Sequence, residues 1–162
     1  MDKISVLELC AGAGGQATGF EDAGYEHAGL VELDSYACKT LRFNRPKWNV
    51  IQEDLNSFNA KPYKGVDVVA AGLPCPPFSK AGKQLGASDE RNLFPAALRI
   101  IKEVQPRAVV IENVRGILDA VFQDYRRYIS GQQTAVILNV VKDPCISLLL
   151  VLDSPPITPA NF

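Results

Sequence analysis

Cys75 stands among prolines in Gly72-Leu73-Pro74-Cys75-Pro76-Pro77-Phe78-Ser79, and Glu112 closes the apolar run Val109-Val110-Ile111. A thiol and a carboxyl group are together the equipment for attacking a pyrimidine ring. Carbon-5 of cytosine is a poor nucleophile, but addition of a thiolate at carbon-6 converts the ring into an enamine that is nucleophilic there. Cysteine suits the task because its thiolate reacts well even when only a few per cent is ionised near neutral pH. The addition drives electron density onto the ring, which a carboxyl group of raised pKa stabilises at nitrogen-3. The prolines restrict the backbone and remove amide donors, which holds a nucleophile in place. An isolated cysteine is more often a small buried hydrophobe, Glu112 alone a helix-terminal carboxylate, and Asn113 alone a cap or turn residue. For the octapeptide as a whole, function is the better account.

A second group of residues is suited to a nucleotide-like ligand. Gly12-x-Gly14-x-x-Ala17 follows one strand-like run, and Glu32 ends the next, twenty positions after Gly12. The glycines let the backbone approach a ligand, and the carboxylate accepts hydrogen bonds from two ribose hydroxyls. The spacing suits a nicotinamide dinucleotide as well as S-adenosylmethionine, so it leaves the ligand open. In Glu53-Asp54-Leu55 an acid could bond the exocyclic amine of adenine, although a solvated turn or helix cap is the commoner role.

These groups need elements to position them. Strand-like runs Ile4 to Leu9, Ala28 to Leu33, Asn49 to Gln52, Val66 to Ala71 and Ala108 to Ile111 alternate with helix-like segments. The helices are expected after Gly14 and over Asp34 to Asn44, Leu93 to Val104 and Gly116 to Ile129. The alternation predicts an α/β fold, a mostly parallel sheet with flanking helices. Each motif then falls beyond the carboxyl end of a strand, where open sheets bind ligands. The 74–92 stretch is long for a connection and reads as a functional loop.

With 162 residues and 47% hydrophobic content, the chain has material for one ordinary domain. A formal net charge of -1 gives no global basic signature, so any DNA contact must be local. Cys10, Cys38, Cys75 and Cys145 lack C-x-x-C spacing and His27 is the one histidine, which argues against a metal cluster. The longest apolar stretch is broken by Lys142-Asp143-Pro144, so no membrane span is expected, and a cytoplasmic protein is the default.

The proline-cysteine motif, Glu112-Asn113-Val114 and the turn Leu9-Cys10-Ala11-Gly12-Ala13-Gly14-Gly15 resemble the DNA cytosine-5 methyltransferase family from about Ile4 to Ile129. The resemblance implies a Rossmann-like, S-adenosylmethionine-dependent methyltransferase fold. It makes Cys75 the covalent nucleophile and Glu112 the group at nitrogen-3. It also implies that Leu9, Cys10, Ala11, Gly12, Gly14, Gly15, Glu32, Leu33, Asp54, Leu55, Gly72 and Pro74 bind S-adenosylmethionine. Ser79, Lys80, Lys83 and Arg91 become candidate contacts to double-stranded DNA with its cytosine flipped out, while Pro76, Phe78, Asp89 and Asn113 brace the site. Restriction and modification is the implied setting.

Residues 1–129 are thus expected to form a partial, truncated methyltransferase core. After Ile129 nothing resembles the family's glutamine-x-arginine-x-arginine motif, its target-recognition region or its last helix. Residues 130–162 read instead as an atypical tail with a β-hairpin, Ala135 to Val141 and Cys145 to Leu152, and an extended proline-rich end. A complementary subunit or recognition domain is the corresponding partner. The open alternatives are a non-catalytic remnant or split-enzyme half, a cytosine-5 RNA methyltransferase and a nicotinamide-dependent oxidoreductase.

Overall fold

The computed structural model describes residues 3–74 and 92–114, the single positions 120 and 123, and the strands 136–139 and 146–152. Five parallel strands carry the architecture: β1 (Ser5–Leu9), β2 (Glu26–Glu32), β3 (Val50–Gln52), β4 (Val68–Gly72) and β5 (Ala108–Val114). Helices α1 (Gly15–Asp22), α2 (Ser35–Asn44) and α3 (Phe94–Val104) join or flank them. Strand β7 (Ile146–Leu152) runs antiparallel beside β5 and pairs with β6 (Val136–Asn139), giving the order β3-β2-β1-β4-β5-β7-β6. The chain reverses direction across the sheet between β1 and β4, and such a switch point opens a crevice at the carboxyl ends of the strands.

Alternation along the strands builds two apolar layers. Leu7, Leu9, Val31, Val69, Ala71, Val109 and Ile111 form one core with α3, while Val6, Leu30, Val68 and Ala70 lie in the clusters of the opposite face. Helix α3 buries Phe94, Ala96, Ala97, Leu98, Ile100, Ile101 and Val104. Each large member is worth about 1.5–3 kcal/mol of transfer free energy, so α3 is a fixed post rather than a loose cover. Gln105 adopts φ 53, a left-handed stop whose N–H donates to the Ile101 carbonyl, and Pro106 follows. At the amino ends of the strands, Asp67 Oδ2 accepts hydrogen bonds from Ser5 N (2.9 Å) and Ser5 Oγ (2.8 Å), while Oδ1 pairs with Arg107 (3.1 Å). One carboxylate thus joins the starts of β1, β4 and β5.

Two strands differ from the expectation in a way that matters for the site. Strand β2 begins at Glu26, because β1 offers it a hydrogen-bonding edge from Ser5 onward. Strand β5 runs on through Glu112 and Asn113 to Val114, because β4 pairs with it as far as Glu112 and β7 as far as Val114. Glu112 therefore sits inside a strand, opposite Gly72. The expected helix Gly116 to Ile129 lies outside the described residues except at Ala120 and Gln123.

Candidate active site

The carboxyl ends of β1 to β4 surround a cleft of about 820 Å³ whose lining includes Cys10, Glu32, Leu33, Asp54, Gly72 and Pro74. The turn leaving β1 shapes one wall. Cys10, Gly12 and Gly14 all take positive φ, at 57°, 55° and 96°. Gly14 permits nothing larger: a Cβ there would stand 2.7 Å from Leu41 Cδ2, so the turn is pressed against α2.

Glu32 holds this turn. Its Oε2 accepts a hydrogen bond from Gly12 N and its Oε1 one from Asp34 N, each at 2.8 Å. The carboxylate thus clamps the glycine turn to the end of β2, and each oxygen retains a lone pair for a further donor. That dual use was not visible from its spacing. Asp54 has a comparable local role, because its Oδ1 accepts from Asn56 N (2.9 Å) and Asn56 Nδ2 (3.0 Å). This is the turn-forming arrangement typical of aspartate, and it leaves Oδ2 with no hydrogen bond among the described residues.

The cleft's electrostatics are one-sided. Glu32, Asp34, Glu53 and Asp54 line it, and no lysine or arginine among the described residues does. Burial, with Glu32 and Asp54 adding to it, pushes the Cys10 thiol up to about 12. Cys10 is therefore a neutral wall residue at physiological pH, not a nucleophile. A pyrophosphate charge ~6 Å from one of these carboxylates would cost roughly 3 kcal/mol at an effective dielectric of ~20. This set of carboxylate acceptors fits a ligand with ribose hydroxyls, an amine and net positive charge, such as S-adenosylmethionine, better than an anionic dinucleotide.

Glu112 lies where β5 meets β4. Its Oε2 comes within 4.0 Å of the position a Gly72 Cβ would occupy, and the Cys10 carbonyl oxygen within 3.6 Å of the same point. Glu112 is half-buried, and burial raises its carboxyl above the usual carboxylate range, the direction required of a group that supplies a proton. Asn113, buried on the other face of β5, reaches the Leu73 carbonyl with Nδ2 at 3.5 Å. It braces the strand exit that leads through Pro74 to the proline-cysteine motif. Cys75 itself, with Pro76, Phe78, Ser79, Lys80, Lys83, Asp89 and Arg91, lies outside the described residues.

Of the residues expected to hold a cofactor, Cys10, Glu32, Leu33, Asp54, Leu55, Gly72 and Pro74 line the cleft. Leu9 is fully buried in the core and Ala11 packs with Ala17, Leu30 and Leu41, so their side chains serve the fold. Gly12, Gly14 and Gly15 form the turn behind the wall. Ser35, Gln52, Asn56 and Leu93 also line the cleft and were not singled out from the sequence. Their common signal is position at or shortly past the end of a strand, or, for Leu93, at the foot of α3.

An open, mostly parallel α/β sheet with its cleft at the switch point and a desolvated carboxyl group beside it defines the class of Rossmann-like methyltransferases. Solved structures agree on the fold. The Entamoeba histolytica methyltransferase EhMeth matches with a TM-score of 0.74 at 16% identity, covering 96% of this chain and 54% of that one. The S. pombe Dnmt2 methyltransferase matches at 0.71 and 17%, covering 93% and 50%. The model of the C-5 cytosine-specific DNA methylase family matches residues 4–133, and the chain belongs to that family. The Neisseria gonorrhoeae Type II methyltransferase M.NgoMIV is 58% identical over 130 residues, 80% of this chain and 42% of its own length. The Escherichia coli Type II methyltransferase M.Eco47II is 46% identical over 141 residues, 86% of this chain and 32% of its own. The chain thus spans less than half the length of these relatives.

Proposed function

We propose that the chain provides the cofactor-binding and catalytic part of a DNA cytosine-5 methyltransferase that uses S-adenosylmethionine. The observation that carries this is the half-buried, raised carboxyl of Glu112 at the end of β5, directly across from the strand that leads into Pro74-Cys75. When bound, S-adenosylmethionine supplies an electrophilic methyl group. Glu32 accepts from the ribose hydroxyls, Asp54 Oδ2 from the adenine amine, and Leu33, 63% exposed at the cleft, offers an apolar face to the base.

In the reaction, the Cys75 thiolate adds to carbon-6 of a flipped-out cytosine, forming a C–S bond. The displaced electron pair is stabilised at nitrogen-3 by the proton of Glu112. Carbon-5, now nucleophilic, takes the methyl group as that group's bond to the sulfonium sulfur breaks, leaving S-adenosylhomocysteine. A base, water or hydroxide, then takes the carbon-5 proton; the freed electron pair re-forms the C5=C6 bond and expels the Cys75 thiolate, and the nitrogen-3 proton returns to Glu112. Ser79, Lys80, Lys83 and Arg91 contact the DNA or anchor the loop over the base, and Asp89, Pro76 and Phe78 support the motif. The setting is a cytoplasmic restriction-modification system, and a complementary subunit or recognition domain is the partner for target selection.

The test is incubation of the full chain with labelled S-adenosylmethionine and duplex DNA carrying 5-fluorocytosine, which traps the carbon-6 adduct. A covalent complex lost in Cys75→Ser supports the assignment. Binding of S-adenosylhomocysteine without any adduct, alone or with a recognition subunit added, would identify a non-catalytic cofactor-binding remnant instead.

A further inference from the structure

The wall of the cleft that carries Asp54 is not held by its own loop alone. Arg99, on the firmly buried α3, donates from Nη2 to the Leu55 carbonyl at 2.7 Å. The same peptide unit donates its other end, Asn56 N, to Asp54 Oδ1 at 2.9 Å. The Leu55–Asn56 peptide is therefore gripped at both ends, by a cation at its oxygen and a carboxylate at its nitrogen. Arg99 is in turn fixed by Nη1 to Glu103 Oε1 (2.9 Å), and Glu103 Oε2 accepts from Ala60 N (3.2 Å), at the far end of the loop. This link lowers the Glu103 carboxyl, chiefly through the Arg99 hydrogen bond.

We infer that Arg99 is a positioning residue for cofactor recognition: by orienting the Leu55–Asn56 peptide it fixes Asp54 Oδ1 and leaves Oδ2 aimed at the amine of an adenine in the cleft. The inference rests on the proposed role of Asp54. Physically, a guanidinium on the carbonyl polarises the peptide and strengthens its N–H as a donor to the aspartate. Asp54 then spends Oδ1 on the turn and cannot rotate freely. The order imposed on that side chain before binding is an entropic cost the ligand no longer meets. The N-cap of the same helix, Leu93, also lines the cleft.

The experiment uses the full chain with two ligands, S-adenosylhomocysteine and its counterpart lacking the 6-amino group, titrated calorimetrically against the parent, Arg99→Met, Arg99→Lys and Asp54→Asn. Arg99→Met is expected to weaken S-adenosylhomocysteine about tenfold, the worth of one well-oriented hydrogen bond, while changing the deamino ligand less than about twofold. Arg99→Lys, which keeps a cation within reach, recovers most of the loss. In the ligand-free protein, Arg99→Met and, less strongly, Arg99→Lys speed hydrogen exchange at the Asn56 amide. A simple structural role weakens both ligands equally, and that result overturns the inference, as does unchanged affinity or unchanged Asn56 exchange. If Asp54→Asn leaves the preference for the amine intact, the role of Asp54 has failed, whatever Arg99 does. If Asp54→Asn abolishes the preference and Arg99→Met does not, the inference alone fails. Should Arg99→Met not fold, Arg99→Gln, which is neutral and too short to reach the Leu55 carbonyl, carries both readouts with the same expected and overturning results.

Discussion

Removing the Glu32 carboxylate should cost stability before any ligand is added, by an amount the local geometry sets. Glu32→Ala deletes two hydrogen bonds of unequal worth: the part-buried one from Gly12 N and the exposed one from Asp34 N. A partly buried bond to a charged acceptor is worth about 1.5–3 kcal/mol, and an exposed one about 0.5–1 kcal/mol. The sum, about 2–4 kcal/mol, lowers Tm by roughly 4–16 °C at 2–4 °C per kcal/mol for a chain of this size. Glu32→Gln keeps one acceptor, which goes to Gly12 N, and sets its amide nitrogen against the exposed Asp34 N–H, where water relieves the conflict. Its cost is about 1 kcal/mol, or roughly 2–4 °C. Differential scanning calorimetry of the three proteins without ligand reads both values. Equal Tm for Glu32→Ala and the parent would refute the clamp, and equal losses in the two variants would refute the ranking of the two bonds.

Glu112→Gln should raise stability slightly at pH 7 while abolishing the 5-fluorocytosine adduct. The folded-state pKa of Glu112 lies above its unfolded value of 4.5, so ionisation costs the fold stability as pH rises through that window, and the neutral amide avoids the cost. Urea unfolding from pH 4 to 8 shows whether the difference grows in that direction. Asp67→Asn acts with the opposite sign. Ser5 and Arg107 hold that carboxyl below 3.8, so its contribution is present above that pH and disappears as pH falls through the folded value. The variant is therefore less stable at pH 6 and converges with the parent as pH falls below 3.8 in the same experiment. Gly14→Ala combines positive φ with a 2.7 Å approach to Leu41, and about 1–3 kcal/mol of destabilisation in urea is expected; an unchanged midpoint would show that the turn relaxes freely.

The sequence by itself determined the family and most of the frame. Alternating β-rich runs and helical spacing are local signals, so the parallel α/β sheet, α2 and α3 were legible from periodicity, and Gln105-Pro106 marked where α3 stops. The proline-cysteine motif and Glu112-Asn113-Val114 carried the family, because each is a run of adjacent residues and can be read locally. Tertiary structure decided what each acid does. Glu32 binds Gly12, and Asp54 is tied through a peptide to Arg99 on α3, pairings between residues that no local pattern links. It also set the length of β5, which continues through Glu112 because β4 and β7 supply hydrogen-bonding partners there. Strand extent, burial and the raised pKa of a carboxyl group depend on neighbours brought together by folding, and those neighbours lie too far apart in the chain for residue order to reveal them.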